Sequence, residues 1–350
     1  MKDMKGEENG FGMLDIFRLA AAGLIVAIHT GPFSGISEKA DLIVTYGIGR
    51  IAVPFFLMVT GYFVLSHMLE TENEGGERLW RMEKHLIKMY LLITLLYLPV
   101  SWYSGNLPKS VGGVFKQLLF DGTFYHLWYL PGAIIGIAVS YLMLRYCGMQ
   151  KAGMIAALLY LVGLFGDSYY GAVEQIPPLR GFYELLFQGS SYTRNGVFFA
   201  PLFLILGAAL AVCPTLLTKF SVCFGFLASL AAMLIEVEMT DQLGWQRHNS
   251  MYLFLPLVMF FLFVGLSWIP LRAFPVCRSI SMWIYLLHPL CIVLLRGLGG
   301  ILGQKEFLAK YTLIFYLLVC LLSAAAAVLA AFLSEKCKAL WNVRKQRISI

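Results

Sequence analysis

The chain has 350 residues, of which 59% are hydrophobic and only 13% charged, and its mean hydropathy is +0.74. Soluble domains carry about 25% charged residues, so the composition excludes an ordinary soluble enzyme and describes a polytopic membrane protein whose core meets lipid. The net charge of +7 sits in short loops and the C-terminal tail. It reads as membrane orientation, and no nucleic-acid motif accompanies it.

Ten apolar runs of spanning length recur, near 11–30, 42–66, 86–103, 127–146, 151–166, 197–212, 217–236, 251–269, 279–297 and 311–333. The expectation is an all-α integral membrane bundle of about ten transmembrane helices. With the N-terminus inside, sixteen of the 27 Lys and Arg fall on the cytoplasmic side and nine outside. The bias predicts an N-in, C-in topology. Residues 1–333 form the transmembrane domain, and 334–350 read as a basic cytoplasmic linker. The seven cysteines include no CxxC pair and read as free thiols rather than metal ligands.

The first run, FGMLDIFRLAAAGLIVAIHT, carries Asp15, Arg18 and His29. Ionisable groups in a membrane segment are costly and are functional candidates by default. Asp15 and Arg18, three apart, can meet on one helix face. Arg18 and His29 point within about 20° of each other and lie roughly 16 Å apart along the axis. One helix face thus offers a guanidinium suited to an anion near one surface and an imidazole suited to a general base near the other. The alternatives are a snorkelling Arg18 paired with Asp15 and an interfacial His29 before the Gly31-Pro32 stop.

The second run places Arg50 before a kinking Pro54. FYHLWYLPG adds His126 beside belt aromatics, and a long loop between the fifth and sixth runs contains Asp167 and Glu174. TRNG brings Arg194 and Asn195 to a helix start, as a fork donor and amide or as a snorkelling cation and cap. QRHNSMYLFLP contributes His248, and SMWIYLLHP contributes Tyr285 and His288, the latter readable as a buried neutral imidazole. Glu236 and Glu238 read as a solvated helix end. Gly132 and Gly136 fit close helix packing. There is no P-loop, GxGxxG, HExxH or GxSxG motif.

Arg18 and His29 with ten residues between them, PFFLMVTGYF, HLWYL and SMWIYLLHP, in that order, resemble the acyltransferase family 3 membrane proteins. GRIAVPFFLMVTGYF, YHLWYLPG, GDSYYG, TRNGVFFAPLFLILG and HNSMYLFLP resemble the membrane half of the vancomycin-resistance membrane serine racemases. The first resemblance implies an O-acyltransferase with His29 as base, Arg18 with Asp15 beside it, and Arg18 toward an acyl-CoA donor. The second implies a multi-pass protein of the bacterial cell membrane that brings L-serine to a fused cytoplasmic racemase domain. PLP would belong to that domain alone, and transport would need no cofactor here. A membrane anchor is the third possibility. For serine, Arg50 and Arg194 suit the carboxylate and Asp167 or Glu174 the ammonium, with His126, Asn195, His248, Tyr285 and His288 as further candidate contacts. The expected partners are the bilayer, L-serine or another small polar substrate, the racemase domain and a second copy in a homodimer.

Overall fold

The computed structural model of the protein describes residues 10–70, 75–213 and 215–348. Expectations resting on Lys2, Lys5 and the side chains from Cys337 onward lie outside them. Among the described residues every regular element is helical. The nine longer helical segments are α1 (Gly12–Thr30), α2 (Glu38–Leu69), α3 (Gly75–Tyr103), α4 (Tyr129–Phe165), α5 (Ala200–Val212), α6 (Lys219–Gln242), α7 (Leu255–Ser267), α8 (Pro275–Ile301) and α9 (Thr312–Ile348). Seven are long and apolar enough to cross a membrane, while α5 and α7 are shorter apolar helices. Residues 127–146 and 151–166, expected as two spans, form the single element α4. Its helical path breaks at Gly148, with φ 75° and ψ 167°, a backbone state that favours glycine.

The chain forms two compact units, one from residues up to Thr45 and from Ile269 onward, the other from Tyr46 to Trp268. In the first, α8 packs on both α1 and α9, around Val26, Cys291, Ile292, Phe315 and Val319. The start of α1 is fastened by Gly12 N–H donating to the Leu271 carbonyl at 2.9 Å. Only glycine fits there, since a Cβ would lie 1.9 Å from the Arg272 carbonyl oxygen.

In the second unit α5 is central, packed on α4 and on the helical run through Gly61. That run changes pitch repeatedly. It is a π-helix over Leu42–Gly47, a 3-10 helix over Ile48–Ile51, an α-helix over Ala52–Thr60 and a π-helix again over Gly61–Leu65. Pro54 has no N–H to give the carbonyl four residues earlier, and the tight turn falls there. Small residues set the crossings. A Cβ on Gly136 would sit 2.5 Å from that of Ala200, so the small-residue spacing at Gly132 and Gly136 does serve close packing. Gly61 and Gly207 approach backbone reciprocally: added Cβ atoms would lie 2.0 Å from the Leu204 oxygen and 2.1 Å from the Met58 oxygen. Neither backbone oxygen can rotate away. Gly207→Ala should therefore separate the two helices and destabilise the fold by about 1–3 kcal/mol or more, read as a lowered melting temperature in detergent. Gly153→Ala, which meets nothing within 4 Å, should leave the melting temperature unchanged or slightly raised.

Candidate functional site

Each unit carries a polar centre. In the first unit, Asp15 and Arg18 meet as their spacing predicts, Nη1 to Oδ1 at 3.1 Å. Asp15 is 2% exposed, and its carboxylate is fully engaged. Oδ1 also accepts from Arg278 Nε at 2.8 Å, and Oδ2 accepts from the Phe274 N–H at 3.0 Å. One acid therefore holds two guanidiniums and the backbone at the start of α8. Arg278 had only the appearance of a loop cation in the sequence.

Toward the other end of α1, the His29 ring stacks on His288, with centroids 5.2 Å apart. His288 is fully buried. Its Nδ1 lies 3.1 Å from the Ile284 carbonyl and 2.9 Å from the Tyr285 carbonyl. Both neighbours can only accept, so the proton belongs on Nδ1 and Nε2 is the basic nitrogen. Tyr285 is buried beside it, its ring centroid 6.4 Å from that of His288. The stack puts two imidazoles in ring contact at this end of α1.

In the second unit, the centre is built on Asp167, which is fully buried after the end of α4. Its Oδ1 accepts from Ser250 N–H at 2.6 Å, Met251 N–H at 2.9 Å and Ser168 Oγ at 3.0 Å. Adjacent residues hold two arginines: Arg50 Nη2 donates to Asn249 Oδ1 at 2.7 Å and Arg194 Nη1 to Ser250 Oγ at 2.9 Å. The Arg194 guanidinium also lies over the Tyr192 ring at 4.5 Å and the Trp128 ring at 5.1 Å, which restrains it and lowers the cost of enclosing its charge. His248 packs on Tyr192, ring centroids 4.4 Å apart. Asp167 Oδ2, Arg50 Nε and Arg194 Nε are enclosed without a hydrogen-bond partner. Such atoms are costly unless a ligand or water meets them, and one acceptor with two donors of positive charge matches a zwitterion.

Other candidates have different surroundings. Asn195 is occupied by its own loop: Oδ1 accepts from Val197 and Phe198 N–H, and Nδ2 donates to the Tyr192 carbonyl. His126 is buried among Tyr97, Phe124 and Tyr125. Glu174 is exposed at the end of the short helix Tyr170–Glu174. Glu236 corrects the expectation of a solvated helix end. It is 4% exposed and accepts from the N–H groups of Leu253 and Phe254 and from the Tyr169 hydroxyl. Among the described residues no cluster of His, Cys, Asp or Glu could hold a metal ion.

Comparison with known proteins decides the family. Residues 12–332 match the acyltransferase family 3 pattern, described as an acyltransferase domain. The chain belongs to the acyltransferase family 3. An amino-acid racemase of Enterococcus faecalis is 38% identical over 352 residues, 99% of this chain and 48% of that protein. A serine/alanine racemase of Enterococcus gallinarum is 38% identical over 327 residues, covering 92% of this chain and 46% of that protein. The family 3 chain thus spans about half the length of these curated relatives. No solved structure matches it. The family match runs through both polar centres, and Arg18 and His29 stand on the first helix inside it.

Electrostatics distinguish the groups outside the spans. Burial pushes Asp167 above the usual carboxylate range. Burial, with the Arg194, Arg247 and Arg50 charges adding to it, pushes His248 down to about 4. Folded His248 therefore binds fewer protons than an unfolded imidazole, whose pKa is about 6.5. Its contribution is fully present above pH 6.5 and is lost as pH falls toward 4. The raised Asp167 acts with the opposite sign, so the difference between variants isolates the histidine. The fall in melting temperature between pH 6.5 and 4 should be smaller in His248→Gln than in the natural chain. Equal slopes would remove His248 as the titrating group.

Proposed function

We propose that this chain is the membrane half of a bacterial serine racemase and that it supplies L-serine to a fused cytoplasmic racemase domain. The observation that carries the reading is the set of enclosed atoms without partners, Asp167 Oδ2, Arg50 Nε and Arg194 Nε, tethered through neighbouring residues 249–251. The arginines take the serine carboxylate and Asp167 takes the ammonium. Exposed Glu174 is the weaker choice for that role. Support also comes from the racemase names of the relatives and from their length, about twice the matched region. PLP chemistry belongs to that other half, and no residue here is assigned to it.

The same reading takes the chain as a ten-span protein of the bacterial cell membrane with both termini inside. Counting α4 as two spans on either side of Gly148, and including α5 and α7, gives ten. The Lys and Arg bias of the loops favours the N-in orientation, which would put His29 toward the outside.

A second reading, O-acyl transfer, is favoured by the His29–His288 stack. In it His29 takes the proton of an acceptor hydroxyl, whose oxygen attacks the thioester carbonyl of an acyl-CoA. The C–S bond breaks and the CoA sulfur leaves, taking the proton back from the imidazolium. Arg18 and Arg278, bound to Asp15, would hold phosphate of the donor.

Proteoliposomes separate the two. With labelled L-serine outside and no acetyl-CoA, the natural chain should accumulate serine inside. Arg194→Gln and Asp167→Asn should each cut uptake at least tenfold, the loss of a charged hydrogen bond of about 1.5–3 kcal/mol, while His29→Ala should leave uptake in place. No uptake by the natural chain would end the transport reading. Release of CoA from acetyl-CoA that disappears in His29→Ala would establish transfer instead.

A further inference from the structure

The first unit contains a pocket that neither reading uses. It lies where α1 ends, α8 ends and α9 begins, and its volume is about 470 Å³, lined by Thr30, Ser34, Arg296, Lys305, Thr312 and Phe315 with an apolar wall from Leu308 and Ala309. That is well within the range of about 300–1,000 Å³ typical of small-ligand sites. Its polar lining is one-sided. Thr30 donates its hydroxyl proton to the Val26 carbonyl, Ser34 to Gly31 and Thr312 to Pro32. With those protons committed internally, the strong donors left to the pocket are Arg296 and Lys305. No carboxylate lines it, and neither cation is in an ion pair among the described residues. Arg296 is steadied by the Phe315 ring, 5.5 Å away. The Lys305 stem lies across Gly300, where a Cβ would come within 2.9 Å of its Cε.

Two positive groups, held by packing and facing a cavity without an acid, call for an anion. The surroundings say which kind. The pocket opens where membrane-length helices end, the depth of lipid headgroups. Leu298, Ile301, Leu302, Phe307 and Ile314, from the same helix ends, are exposed, a surface that suits acyl chains rather than water. We propose that this pocket binds the phosphate of a membrane phospholipid, with Arg296 and Lys305 on the phosphate oxygens and Leu308 and Phe315 against the adjoining apolar part. The proposal stands apart from serine supply and acyl transfer, since it uses none of their residues.

The test uses the full chain in detergent and a short-chain phospholipid, dihexanoylphosphatidylglycerol, with melting temperature as the readout. Dihexanoylglycerol is the phosphate-free arm and inorganic phosphate the free-anion arm. The phospholipid should raise the melting temperature saturably. Arg296→Gln and Lys305→Gln should each raise the half-saturating concentration at least fivefold, and Arg296→Lys, which keeps the charge, should raise it less. Both side chains are exposed, so the unliganded melting temperatures should stay close to that of the natural chain. Equal protection by dihexanoylglycerol would reduce the site to an apolar slot. Equal or tighter protection by inorganic phosphate would make it a free-anion site. Either result, an absent shift, or unchanged affinity in both Gln variants overturns the proposal.

Discussion

The polar end of the second unit depends on one buried carboxylate accepting main-chain N–H groups. Asp167 cannot be solvated where it lies, so its charge is met by the amides of Ser250 and Met251 and by the Ser168 hydroxyl. Because those amides belong to the segment that also carries Asn249 and the Ser250 hydroxyl, fixing the acid fixes the anchors of Arg50 and Arg194. The same device recurs. Asp15 accepts from the N–H of Phe274 just before α8, and Glu236 from those of Leu253 and Phe254 just before α7. Neither helix has a side-chain cap from its own N-cap residue. Acids on other helices do that work, meeting orphan donors and the positive end of the helix dipole together.

This use of acids shapes the chemistry left over. Asp15 is consumed by its partners and acts by holding cations. Asp167 has one oxygen engaged by the loop and the other enclosed without a partner, so it can be both a structural tie and a ligand. In the first unit the His288 ring is oriented by the α8 carbonyls of Ile284 and Tyr285, and Pro289 follows it within the helix.

Much of the architecture was legible because lipid demands long apolar runs, and each run lies on an observed helix, although α3 begins eleven residues before its apolar run and α9 continues past 333 to Ile348, where charged residues end the apolar pattern without ending the helix. Asp15 with Arg18 was legible because three-residue spacing on a helix is local. The partner Arg278 was not, since 263 residues separate it from Asp15 and nothing in its surroundings distinguishes it from an orienting loop charge. Glu236 was misread because a helix end looks solvated until the following loop folds back over it, as the N–H groups of Leu253 and Phe254 do here. Asn195 shows the reverse, a short polar residue before a helix whose local capping role the sequence already offered. Arg50, Arg194 and Asp167 were grouped from their charge and placement, but the tie through residues 249–251 that joins them was not legible, because nothing local in that segment announces it.

The changing pitch of α2 bears on how the chain can vary. A π-turn accommodates one residue more than an α-turn, and two such stretches flank Ala52–Thr60. A relative one residue shorter at either place can return to ordinary pitch while Phe55, Leu57 and Met58 keep facing the interior. Length variation here is therefore absorbed within a helix long and apolar enough to cross a membrane, where a single deletion elsewhere would rotate every later side chain by about 100°.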